Sequence, residues 1–126
     1  MSDDVILITG GSRGIGRALV EMLAADGARV AFTYHVREDA ARELEERAGD
    51  RVRAYQYALS DRERPDDLVE RVETEVGPIG VLINNAAITP RNLEHTQEGI
   101  ERQFATNVLG YFWMMGTFGD WLKQSP

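Results

Sequence analysis

Val5 to Ile8 (VILI), apolar at every position, breaks straight onto four glycines within seven residues: Gly10, Gly11, Gly14 and Gly16. An uninterrupted apolar run of this length is the pattern of a strand covered on both faces. From Ile15 the period changes. Ile15, Ala18, Leu19, Met22 and Leu23 recur at i, i+3, i+4, i+7 and i+8, one face of a helix. Gly27 stands where a C-cap glycine would end it. A doubly covered strand that feeds a helix through a glycine turn leaves few architectures open, because the helix must pack back onto the sheet it has left.

The same alternation repeats. Arg29 to Tyr34 (RVAFTY) is rich in strand formers, and Glu38 to Arg47 is helical in propensity, acidic at its start and followed by Gly49. Val52 to Tyr57 alternates as a strand does. Ser60 and Glu63 fit a capping box and Pro65 a first helical turn, with Leu68, Val69, Val72 and Val76 forming the apolar face up to Gly77-Pro78. Ile79 to Ile83 reads as a fourth strand. Thr96 caps a last helix whose buried face takes in Ile100, Phe104, Val108, Tyr111, Phe112 and Met115. The order βαβαβαβα predicts an α/β fold of Rossmann type, a parallel sheet with helices on both faces. No repeat or low-complexity linker interrupts residues 1–126, which read as one domain.

Composition narrows the function. Hydrophobic residues make up 43% of the chain, an ordinary globular value. With no cysteine there is no disulfide framework or thiolate metal site, and a reducing cytoplasm is the expected compartment. His35 and His95 lack ligand-like spacing, so no metal site is expected. No positive n-region precedes the first apolar run, which predicts no signal peptide. The longest apolar tract, Val108 to Phe118, falls well short of the roughly 20 residues that span a bilayer. A net charge of −7 argues against a nucleic-acid partner.

A glycine-rich turn that leaves a strand and opens a helix is a phosphate site. Bare backbone lets a pyrophosphate approach, and the N–H groups and positive dipole end of the helix face its charge. The competing reading is a tight turn that needs glycine only for its torsions. The spacing is Thr9-Gly10-x-x-x-Gly14-x-Gly16, and TGGSRGIG resembles the cofactor turn of the short-chain dehydrogenase/reductase family. Asn84-Asn85-Ala86-Ala87 resembles that family's Asn-Asn-Ala-Gly, with Ala87 in place of the glycine. Asn107, in FATNVLG, matches the position of its catalytic asparagine. The stretch EGIERQFATNVLGYF is similar both to the retinol-dehydrogenase-like branch and to ketoacyl reductases. The resemblance covers essentially the whole chain.

It implies a dinucleotide-binding domain in which Gly10, Ser12, Arg13, Gly14, Ile15 and Gly16 surround the cofactor phosphates. Asn84 and Ala86 would lie beside the nicotinamide-side ribose, with Asn84 also tying strand to strand. Asn107 would hold a water in the proton relay. For Asn84 and Asn107 the plainer readings are a strand-end turn residue and a polar helix residue. At the end of the second strand, Thr33-Tyr34-His35-Val36-Arg37 places no acid where an NAD site has one. Arg13 and Arg37 suit a 2′-phosphate, which favours NADP. Glu38 and Asp39 would argue for NAD if that strand ran two residues further, and Arg37 also reads as a solvated helix-start residue. Ala58 stands where the family has an acid for the adenine, leaving backbone groups at Leu59 to help.

The family's tyrosine proton donor, with a lysine four residues on, has no match in this sequence. Tyr34, Tyr55, Tyr57 and Tyr111 are followed at that spacing by Glu38, Leu59, Asp61 and Met115, and Lys123 is preceded by Gly119. The chain therefore resembles the N-terminal half of an NADP-dependent carbonyl or alcohol oxidoreductase, inactive alone and acting on a small-molecule substrate only when the fold is completed. In the family's strand order, 3-2-1-4-5-6-7, the fourth strand would end as an unpaired edge. Trp113, Met114, Phe118 and Trp121 would add apolar surface on several sides of the last helix, which implies a homo-oligomer or partner chain through residues 108–121; the alternative is that the aromatic residues pack inward and the tail folds over them. The alternative function is a non-catalytic NADP(H)-binding or partner-binding module.

Overall fold

The computed structural model describes residues 3–12, 14–57, 65–85 and 114–116. The elements run β1 (Val5–Ile8), α1 (Gly14–Ala25), β2 (Arg29–Tyr34), α2 (Glu38–Ala48), β3 (Val52–Gln56), α3 (Pro65–Glu75) and β4 (Ile79–Ile83). Residues 114–116 are helical. The four strands form one sheet in the order β3-β2-β1-β4, all parallel. β1 is thus flanked on both sides, by β2 from Val5↔Arg29 to Ile8↔Phe32 and by β4 from Ile6↔Val81 to Ile8↔Ile83.

Alternate strand residues feed two cores, which is why the strands read as apolar throughout. Val5, Leu7, Ala31, Tyr55 and Tyr57 pack under Leu68, Val69 and Val72 of α3, with Met114. Ile8, Val30, Phe32, Tyr34, Val52 and Ala54 pack under Val20 of α1 and Ala41 and Leu44 of α2. Burying a side chain the size of Leu7 or Phe32 contributes about 1.5–3 kcal/mol. β4 shifts register at its first pair, where Val5 opposes Ile79 but Ile6 already opposes Val81. The extra residue explains why Ile79 and Leu82, three apart, reach the same core.

Carboxylates from the helices complete the strand hydrogen bonding. Ala54 N on the outer strand β3 donates to Glu45 Oε2 at 2.9 Å, and Ile79 N donates to Glu73 Oε1 at 2.8 Å. Between α1 and α2, Arg17 reaches Glu21 at 3.3 Å and Glu43 at 3.4 Å, and Arg47 reaches Glu21 at 3.7 Å.

The strand limits match the sequence pattern except at β3, which ends at Gln56, although Tyr57 N still donates to Tyr34 O at 2.8 Å. Two helix faces differ. In α1, Ile15 and Met22 are 75% and 55% exposed, and the inward face is Gly16, Leu19, Val20 and Leu23. The apolar arc of this helix is broad enough for two orientations, and close docking at Gly16 selects one of them. Likewise Met115 is 47% exposed while Met114 is fully buried, the reverse of the expected faces. One residue is a rotation of about 100°, and packing against Val5, Leu7 and α3 chooses the inward methionine.

Candidate functional site

The glycine turn lies at the C-terminal edge of the sheet, where β1 sits between β2 and β4 and the chain switches from building outward through β3 to building on the other side. That crevice is where open parallel sheets bind ligands. The turn is fastened from both sides. Toward β4, Thr9 N donates to Ile83 O at 3.0 Å, Asn85 N donates to Thr9 Oγ1 at 2.9 Å, and Asn85 Nδ2 donates to Gly10 O at 3.0 Å. Toward β2, Gly10 N donates to Thr33 Oγ1 at 3.1 Å and Gly11 N to Thr33 O at 3.0 Å. Thr9 and Thr33 are both buried, at 0% and 2% exposed.

Gly16 presses on this hub. A Cβ there would stand 2.1 Å from Gly10 O and 2.6 Å from Asn85 Nδ2. Its absence lets the first turn of α1 lie directly on the strand-end turn. Gly14 is the opposite case: its φ of +61° is in the left-handed region, and a Cβ would meet nothing within 4 Å. The first N–H groups of α1 have no partner within the helix, and they open onto this space with the positive end of the helix dipole behind them. The arrangement can hold an anion against bare backbone.

Ser12 is buried at the turn, 7% exposed, and Ile15 stands out at the helix mouth. Asn84 directly follows β4, its side-chain oxygen buried and without a hydrogen-bond partner among the described residues. The expected tie between strands is made instead by Asn85, whose amide reaches Gly10 O. Arg37 occupies the N-cap position of α2, and its Nε donates to Asp39 Oδ1 at 3.3 Å, with both side chains well exposed. The Ala40 backbone N–H, and then the Arg37 guanidinium, hold the Asp39 carboxyl below its usual range, so it is anionic at neutral pH. β2 ends at Tyr34, so neither Glu38 nor Asp39 stands at a strand end. Arg13, Leu59, Ala86 and Asn107 lie outside the described residues.

Three residues escaped the sequence reading as site builders: Thr9, Thr33 and Asn85. The available signal was a threonine at or near the end of an otherwise apolar strand, a polar side chain that burial obliges to find a partner. Val36, 75% exposed just beyond β2, adds a second bare apolar side chain besides Ile15 at this edge.

The buried oxygen of Asn84, the open space at Gly14 and the N-terminus of α1 fit a dinucleotide laid across the crevice. The fold is a parallel α/β sheet of Rossmann type, with its crevice at this edge. A family model described as short chain dehydrogenase matches residues 4–125, and the chain belongs to that family of oxidoreductases. It is 39% identical over 110 residues to an acetoacetyl-CoA reductase of Paracoccus denitrificans, covering 86% of this chain and 45% of that protein. Among solved structures it is similar to a blue fluorescent protein from a metagenomic library in complex with NADPH, with 37% identity and a TM-score of 0.78 over 93% of this chain and 50% of that one. It is also similar to a short chain dehydrogenase from Burkholderia cenocepacia J2315 in complex with NADP, with 31% identity and a TM-score of 0.81 over 94% and 51%. The chain spans about half the length of the relatives it matches. Among the described residues, no helix is long and apolar enough to cross a membrane.

Proposed function

We propose that residues 1–126 are a single dinucleotide-binding domain, the NADP(H)-binding half of a cytoplasmic carbonyl reductase. The observation that carries this reading is the pairing of Gly16, which no side chain can replace without striking Gly10 O, with Gly14, which faces open space at the mouth of α1. In this reading Gly10, Ser12, Gly14, Ile15 and Gly16 receive the pyrophosphate. Arg13 and Arg37 take the 2′-phosphate, Arg37 exchanging its exposed contact with Asp39 for it. Ile15 and Val36 offer apolar surface to the adenosine, with Leu59 beside the adenine. Asn84 and Ala86 lie along the nicotinamide-side ribose, the buried Asn84 oxygen accepting from a ribose hydroxyl. Asn107 orders the water of a proton relay.

When bound, the nicotinamide supplies or accepts a hydride. The NADP and NADPH complexes of similar structures support the choice of NADP. The acetoacetyl-CoA reductase relative supports a carbonyl substrate of the β-keto thioester class. Proton donation falls to a tyrosine–lysine pair for which this sequence has no match, so reduction requires a completed fold, and we propose association through residues 108–121. Fluorescence titration of the 126-residue chain with NADPH and NADH tests the reading. Saturable binding, tighter for NADPH, is expected. Binding of neither would overturn it, and tighter binding of NADH would overturn the role of Arg13 and Arg37.

A further inference from the structure

We propose that Thr33 is a positioning residue for dinucleotide binding, the side chain on β2 that sets the shape of the glycine turn on β1. The inference rests on the dinucleotide reading above and assigns a device within that site. Thr33 is 2% exposed. Its hydroxyl oxygen accepts from Gly10 N–H at 3.1 Å and its carbonyl accepts from Gly11 N–H at 3.0 Å. Both donors at the start of the turn are therefore drawn sideways into β2, away from the mouth of the crevice.

The consequence lies in the peptide plane joining Gly10 to Gly11. Its N–H is held by Thr33 O on one side, and its C=O by Asn85 Nδ2, at 3.0 Å, on the other. That same oxygen is the atom against which Gly16, and so the first turn of α1, is seated. The Thr33 hydroxyl secures the preceding N–H, at a glycine whose φ of +75° has little torsional resistance of its own. Without that acceptor, the part-buried Gly10 N–H would be unpaired, and the turn would relax by rotating toward water. Gly10 O would swing off Asn85, and the helix N-terminus would lose its seat. The phosphates would then be left to the free N–H groups of α1 in a displaced position.

Thr33→Val keeps the shape and removes the acceptor; Thr33→Ser keeps the acceptor. Because Thr33 acts through the pyrophosphate end, NADPH and NADH should suffer alike. Titrations are expected to show Thr33→Val about tenfold weaker for both dinucleotides and Thr33→Ser within about twofold of the parent. The ratio of the two affinities should stay unchanged. Thr33→Val binding as tightly as the parent, Thr33→Ser as weak as Thr33→Val, or unequal loss for the two dinucleotides would each overturn the proposal. A urea midpoint lowered with no change in affinity would overturn it too, since that is a purely structural role. If Thr33→Val does not fold, amide exchange on the parent chain decides: Gly10 N–H is expected to be protected without nucleotide, and exchange at the free-peptide rate overturns the inference. A parent chain that binds neither dinucleotide fails at the proposed function itself, an outcome distinct from a parent that binds while Thr33→Val binds equally well.

Discussion

Two glycines in one turn answer to different physics. At Gly16 the obstacle is a backbone carbonyl 2.1 Å from any Cβ, which cannot step aside as a flexible side chain would. Gly16→Ala should cost about 3 kcal/mol, the upper end of the overpacking range, and abolish nucleotide binding, read by urea unfolding and NADPH titration. At Gly14 a methyl meets nothing, and only the left-handed φ of +61° resists it. Gly14→Ala should destabilise by about 1 kcal/mol, yet still weaken NADPH binding because its methyl occupies the approach to the helix N-terminus. Equal stability losses for the two variants would refute this division. The glycine spacing was legible in the sequence because a bare backbone leaves its mark as a residue type. Which asparagine of Asn84-Asn85 ties the strands was not, since the two are adjacent, identical in type and both just beyond β4.

At the scale of elements, what holds the helices to the sheet is polar as well as apolar. Glu45 of α2 accepts from Ala54 N on β3 and also pairs with Arg42, which in turn reaches the Tyr34 hydroxyl at 3.3 Å. Glu45→Ala removes the acceptor for a strand N–H and should cost about 1–3 kcal/mol in urea unfolding. The β3–α3 contact has its own marker. Tyr55 OH donates to Glu75 Oε2 at 2.6 Å, with Arg71 over the ring at 5.1 Å. Burial, and then the Glu75 carboxylate, push the Tyr55 phenol above its ordinary range. A phenol whose folded pKa is raised adds stability that is complete below its unfolded value, near 10, and is lost as pH climbs toward the folded value. Parent and Tyr55→Phe should therefore converge in stability as pH rises above about 10, the parent falling more steeply. Parallel pH profiles would show that the ionisation is not coupled to folding. The existence and order of these elements, and the strand limits other than that of β3, followed from period and punctuation. The inward rotation of α1 and of residues 114–116 did not, because an apolar arc wider than one contact admits neighbouring orientations and only the docking partner selects between them.

For the whole molecule, the decisive feature is strand order. The arrangement β3-β2-β1-β4 brings Gly10, Thr33 and Asn85, far apart in the chain, to one edge. Binding there must be linked to folding: a saturating dinucleotide at one hundred times its dissociation constant should raise stability by about 2.7 kcal/mol. A melting temperature that NADPH leaves unmoved would place binding, if any, elsewhere. Since the chain spans about half the length of its relatives, it is expected to bind NADPH without oxidising it in the presence of a β-keto thioester, an outcome that absorbance at the nicotinamide band reads directly. The sequence by itself determined the alternation of strands and helices as far as β4, the glycine turn between β1 and α1, and the family, because periodicity and glycine placement are local and written in residue types. Only the tertiary structure decided which faces turn inward, that Asn85 and Thr33 hold the turn, and that Arg37 rests against Asp39. Those depend on which atoms meet across the sheet, and no local pattern carries that information.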